Sequence, residues 1–188
     1  HLGVRRQRQM CIRDRITNTQ RGAIIQVKYT QLDTPFQVTH TANAETFVTG
    51  MSVVITPTKA DSIIRLESVL FQEYNQSSYT ANTMFYFTRN DTTKLYAPVA
   101  GNRRSGVSAP NEQWGQSTDV GSTPDSMDAT YFDSTHNSTS ALTYKLVFTT
   151  YYPTSGTGTL SVNRTGADTD SNEYERGVSF ISATEIAP

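Results

Sequence analysis

Cysteine is almost absent from this chain: among 188 residues there is one, Cys11. A single thiol excludes a disulfide framework within the chain and a thiolate zinc centre, since both need several. Histidine is scarce as well, with three residues. His40 and His136 stand apart in polar surroundings and read as surface histidines, whereas metal ligands come in sets at fixed spacing. No apolar run approaches the roughly 20 residues that a helix needs to cross a bilayer, so membrane insertion by a helix is not expected. An excess of positive charge is also missing. The 16 basic and 17 acidic side chains give a net charge of −1, which supplies no field for holding nucleic acid. G-x-S-x-G, H-E-x-x-H, P-loop and dinucleotide fingerprints do not occur. No cofactor is implied, and the chain reads as non-enzymatic.

What the chain has in quantity is serine and threonine, about a quarter of all residues, together with ten tyrosines and eight phenylalanines. That composition favours β-structure with a polar surface.

Residues 5–15, Arg5-Arg6-Gln7-Arg8-Gln9-Met10-Cys11-Ile12-Arg13-Asp14-Arg15, form a basic run unlike the rest. Read codon by codon, the run resembles the translation of a transposase sequencing adapter. The resemblance implies that residues 1–15 lie outside the fold, as a fusion scar would, and that residues 16–188 form one domain. It also implies a reading frame from an assembled environmental sample, lacking its true N-terminus. Removing five Arg and one Asp leaves 11 basic and 16 acidic residues, a net charge of −5, and no cysteine.

From Ile16 onward short β-branched and aromatic runs alternate with Gly, Pro, Asn, Asp and Ser, the pattern of strands and turns. Strands are expected over 23–30, over 46–56 with a bulge or bend at Gly50, and over 63–74. In the last of these Ile64, Leu66 and Leu70 share one parity and Arg65 and Glu67 the other. Residues 83–89 and 93–97 flank Asn90-Asp91, a tight hairpin turn. Over 142–152, Leu142, Tyr144, Leu146 and Phe148 point inward. Residues 159–163 are expected to pair back onto that strand across a Pro153–Gly158 hairpin turn that contains Gly156 and Gly158. Residues 177–186 form the last strand, with Gly177 supplying positive φ. Residues 100–130 read as one long loop, a class that is usually functional. Nine or ten short strands of this kind predict one antiparallel sandwich, most simply a jelly roll.

Candidate chemistry is sparse. Asp168-Thr169-Asp170-Ser171-Asn172 starts like a calcium loop, but Glu173 and Ser179 stand where an EF-hand requires Gly and Glu. A solvated turn is the default and an irregular calcium site the alternative; Arg164 and Arg176, near Asp168, Asp170 and Glu175, would tie the loop down through a local ion-pair cluster. Asp125/Asp128 and Glu173/Glu175 are paired carboxylates without a stated cleft. Trp114, in the long loop, and Tyr74 and Tyr79, flanking another, are candidates to stack on a receptor or a glycan; each would otherwise plug the end of the sandwich. Phe180, Ile181 and Ile186 put bulky groups on both faces of the last strand, which marks that strand as a candidate subunit interface.

The ordered set Ile25-Gln26-Val27, then Val48 through Pro57 (VTGMSVVITP), Ser62-Ile63-Ile64, Gly101-Asn102-Arg103, Tyr131-Phe132-Asp133-Ser134, Thr143-Tyr144-Lys145, Asn163-Arg164-Thr165, Glu175 through Ser179 (ERGVS) and Ile181 through Ile186 (ISATEI) resembles a group of uncharacterised tailed-phage virion proteins from environmental samples. The resemblance covers nearly everything after residue 22. It implies a tail-fibre or related virion domain, a C-terminal tip whose fold resembles the jelly rolls of tumour necrosis factor and complement globular heads. A homotrimer that attaches to a host cell-surface glycan or protein, or to another virion protein, is then expected. A carbohydrate-binding module of a secreted cellular protein is the alternative.

Overall fold

The computed structural model describes residues 21–74, 82–110, 121–151 and 156–188. Among them there is no helix, and ten strands follow one another: β1 (Ile24–Leu32), β2 (Phe36–Thr41), β3 (Thr46–Ile55), β4 (Ile63–Tyr74), β5 (Met84–Arg89), β6 (Thr93–Leu95), β7 (Asp125–Asp133), β8 (Leu142–Thr149), β9 (Thr157–Val162) and β10 (Ser179–Ile186). All pairings are antiparallel. One sheet has the order β1-β10-β4-β9-β2, with β7 also on β4; the other has the order β3-β8-β5-β6.

The long β4 explains the fork. Ile64–Gln72 pair with β7, and Gln72–Tyr74 pair with β9. With β2 and β9 set aside, the two sheets read β1-β10-β4-β7 and β3-β8-β5-β6. That is the strand order of an eight-stranded jelly roll. The fold is therefore an antiparallel β-sandwich of jelly-roll type, as its alternation of apolar and polar residues predicts.

The core follows from that alternation. Ile64, Leu66 and Leu70 of β4, Met127 and Ala129 of β7, and Ile181 and Ala183 of β10 face Met51, Val53, Phe85, Phe87, Tyr144, Leu146 and Phe148 of the opposite sheet. The bulge in β3 also lies where glycine marks it. Pairing with β8 shifts between Phe47 and Ser52, and Gly50 has φ +79° with Leu32 against its open side. Asn90 and Asp91 both have positive φ, as a mirror-image hairpin turn requires.

Four expectations are corrected. β9 does not pair with β8: it lies in the other sheet, between β2 and β4, so the chain crosses between layers after β8. Gly158 is accordingly a strand residue opposite His40, and only Gly156 (φ +78°) is a turn glycine. The stretch 100–130 is not one loop, because β7 begins at Asp125 and Ser108 bridges Phe85. Strand β2 has no counterpart in the sequence reading. Finally, Gly177 does not need positive φ. It is required by contact, since a Cβ there would sit 2.2 Å from the Phe71 ring.

The Gly177→Ala variant is thus expected to lose about 1–3 kcal/mol through overpacking, read as a lower thermal midpoint. Adding Phe71→Leu should recover part of the loss; equal stability of Gly177→Ala and the parent chain would contradict the close approach.

Candidate functional site

Stacked sheets share no ladder hydrogen bonds, so polar groups between or beside them must find partners in the connections. Three buried carboxylates do this. Asp133, at the end of β7, accepts from the Thr135 backbone N–H (3.0 Å) and hydroxyl (2.9 Å), from Arg89 of β5 (2.6 Å) and from the Tyr144 hydroxyl of β8 (2.9 Å). Glu185 of β10 accepts from Thr58 N–H (2.8 Å), Thr58 Oγ1 (2.9 Å), Lys59 N–H (3.2 Å) and Gln26 Nε2 (2.7 Å). Glu73 of β4 accepts from the backbone N–H groups of Gly121 (2.7 Å), Thr123 (3.2 Å) and Gly166 (2.6 Å). Each acid pins a connection, and each has its oxygens occupied.

Both inner histidines are buried, against the surface reading. His40 alternates inward with Val38 on β2, and the Tyr74 hydroxyl meets its ring. The His136 Nε2 lies 2.8 Å from the Ser62 carbonyl and its Nδ1 3.3 Å from the Ser138 N–H. The Ser138 carbonyl also lies 3.1 Å from Nδ1. His136 therefore staples the β3–β4 connection to the β7–β8 connection.

The predicted binding aromatics divide. Trp114 and Tyr79 lie outside the described residues. Tyr74 is 6 % exposed against His40, a plug at the end of the sandwich and not a ligand platform. The paired acids do not converge: three positions apart on β7, Asp125 and Asp128 point to opposite faces. Asp168 is bound by Arg164 (3.0 Å) and by Arg176, so its loop is held by an ion-pair cluster. Among the described residues no group of three potential ligands gathers for a metal. Asn163 is buried, donating to Leu32 O (2.8 Å) and accepting from Ser179 Oγ (2.6 Å).

The candidate interface residues divide too. Ile181 belongs to the core and cannot meet a partner. It points inward because it shares parity with Ala183. Phe180 and Ile186 take the opposite parity and lie on the outer face of the six-stranded sheet. Register places four rows across that face: Ile24–Ile186–Ile63, Val27–Thr184–Arg65–Phe132, Tyr29–Ser182–Glu67–Thr130, and Gln31–Phe180–Val69–Asp128. Tyr29 is 72 % exposed, Ile24 61 %, Phe132 56 % and Val27 51 %. Arg65 and Glu67, at the centre, form an ion pair at 3.0 Å. This sheet face thus combines exposed apolar residues at its margins with a paired set of charges near its centre. The sequence reading found its β10 members and missed β1 and β7, whose partners in register only the sheet order reveals.

No protein-family model matches the chain, and no curated protein is significantly similar to it.

The buried titratable groups fix the response to acid. Burial holds His40 below its ordinary value of 6.5, with a weaker opposing contribution from the Thr41 backbone. Burial would raise Asp133 and Glu185, but their hydrogen bonds outweigh it and hold both below the ordinary carboxylate range. All three folded-state values are depressed, so each contribution is complete above the unfolded value and lost as pH falls through the folded one. Urea midpoints should therefore decline below about pH 6.5 through His40 and again below about pH 4 through the two acids. A His40→Gln variant should flatten the first decline; an unchanged slope there would remove His40 from the account.

Proposed function

We propose that the chain is a non-enzymatic structural module of a virion, the C-terminal domain of a tail fibre, which trimerises and attaches the fibre to a host surface. The observation that carries this reading is the outer face of the six-stranded sheet. Sandwich strands β1, β7 and β10 turn Ile24, Val27, Tyr29, Phe132 and Phe180 to solvent, although an isolated domain gains nothing from exposing them. Around a three-fold axis equivalent residues of the copies approach one another, so a face of one charge sign would repel its own copy. Here Arg65 and Glu67 neutralise one another within one subunit. Closed cyclic assembly buries such a face without leaving a sticky surface for open polymerisation. The ordered motifs that resemble phage virion proteins support the virion setting, and three copies on each of many fibres would strengthen weak host contacts through avidity.

The alternative, a carbohydrate-binding module of a secreted cellular protein, predicts a monomer with the same fold. Multi-angle light scattering separates the two. The proposed assembly gives about three times the 20.9 kDa chain mass at micromolar concentration, and the double variant Tyr29→Glu/Phe132→Glu gives a folded monomer. A monomeric parent chain rejects the trimer.

A further inference from the structure

At the end of the sandwich remote from Asp133 and Glu185, an open cleft of about 760 Å³ is lined by Asn43, Asn82, Met84, Asn102, Arg103, Arg104 and Tyr151. Its walls come from four places in the chain. Asn43 lies in the β2–β3 turn, its N–H bonded to Thr150 O at 2.8 Å. Asn82 and Met84 stand at the start of β5, and Tyr151 follows β8. Arg103 and Arg104 belong to the segment after β6, which is anchored close by. Gly106 packs so tightly on Met84 that a Cβ would lie 2.8 Å away, and Phe85 N–H and O bond Ser108 and Val107 at 2.7 Å. The connection after β6, anchored on β5, therefore presents the two arginines.

The chemistry of the lining is one-sided. Residues 16–188 are acidic, with a net charge of −5, yet among the described residues the cleft lining has two guanidinium groups and no carboxylate. Among the described residues neither Arg103 nor Arg104 enters an ion pair. Arg103 donates to Ala100 O at 3.2 Å and Arg104 donates to Asn43 Oδ1, which orients the groups and leaves most of their N–H donors to the cleft. Arg104 also stands 5.9 Å from the centre of the Tyr151 ring, and that ring is 45 % exposed. Three amides complete the polar lining, and the Met84 side chain supplies an apolar surface.

We propose that this cleft binds an anionic saccharide, a sugar ring carrying carboxylate or phosphate. Guanidinium forks pair bidentately with either anion. Amides both donate to and accept from ring hydroxyls, and the exposed tyrosine face takes the C–H face of a pyranose. A bare anion uses only the arginines, and a neutral sugar leaves them unpaired; only a charged sugar uses the whole lining. The site gives the attachment half of the proposed module its ligand class and rests on that reading for its biological role. It does not rest on the trimer, because the cleft opens at the loop end of the sandwich and the apolar rows lie across a sheet face.

Calorimetric titration of the full chain with trigalacturonate, mannose 6-phosphate, inorganic phosphate and maltotriose tests it. Tighter binding of trigalacturonate or mannose 6-phosphate than of the other two supports the site and identifies the anion. Equal binding of inorganic phosphate, or of maltotriose, or no binding of any ligand, overturns it. Arg104→Gln and Tyr151→Ala should each weaken the charged sugar at least tenfold with the thermal midpoint unchanged. Lys59→Gln, which removes one positive charge from the opposite end, should leave the affinity unchanged; an equal loss there reduces the effect to net charge and overturns the site. A trimer that binds no charged sugar sinks the cleft alone, whereas a monomer that binds one sinks the assembly alone.

Discussion

The two sheets of this sandwich exchange no backbone ladder, and so their mutual placement depends on what reaches from one layer to the other. The apolar core supplies most of the free energy but little direction, because dispersion and burial tolerate sliding. Direction comes from buried charge. Asp133 on one sheet holds Arg89 and Tyr144 of the other within hydrogen-bonding distance, so a shift of one layer by a residue would strand an ion in the core. Leaving a buried charge unpaired costs several kcal/mol, which penalises the wrong alignment more than the correct pairing rewards the right one. Glu185 acts likewise on the β3–β4 crossover, and Glu73 ties the loop before β7 to the loop after β9. Jelly-roll topology makes its chain cross between layers repeatedly, and the acids stand at those crossings.

Sandwich class was legible because period-2 alternation survives in β4 and β8, where Ile64, Leu66, Leu70, Tyr144 and Phe148 are large and their neighbours polar. It was illegible in β7, whose inward set is Met127, Ala129, Tyr131 and Asp133. A small residue and an acid break the apolar rhythm, and the acid belongs inside only because Arg89 meets it. β2 hides similarly: its inward positions are Phe36, Val38 and His40, and a lone histidine reads as surface until Tyr74 and Phe148 are seen around it. Pairing β9 with β8 erred for a different reason. Turn residues announce that the chain reverses, but not whether it returns to its own sheet or crosses to the other. Gly177 shows the same limit, since nothing local indicates that Phe71, more than one hundred residues away, occupies the space of its missing side chain.

Candidate sites were less legible than the fold, because a site is a coincidence of segments. Arg103 and Arg104 look like ordinary loop charges until the strand ends bring Asn43 and Tyr151 beside them. Conversely Tyr74 looked like a platform and proved to be a plug, because an aromatic near a loop can terminate the core as readily as it can face solvent. Placement of charge discriminates better than placement of aromatics here. Buried acids gather where crossings need anchoring, and Arg103 and Arg104, which form no ion pair among the described residues, stand together where none does.

The outer face of the six-stranded sheet follows the same logic in a different medium. Its central strand positions Ser182 and Thr184 are only 9 % and 2 % exposed, although they point away from the core. They are small and overlaid by the side chains beside them in register, Tyr29 and Val27 on one side, Glu67 and Arg65 on the other. Along β10 these two short residues lie between the bulkier Phe180 and Ile186, with the Arg65–Glu67 pair of β4 on one flank and Val27 and Tyr29 of β1 on the other. Were this face meant for water, polar residues at Val27, Tyr29 and Phe132 would cost the core nothing, since none of them touches it. Their apolar character is therefore a property of the surface itself, and the proposed self-association rests on it.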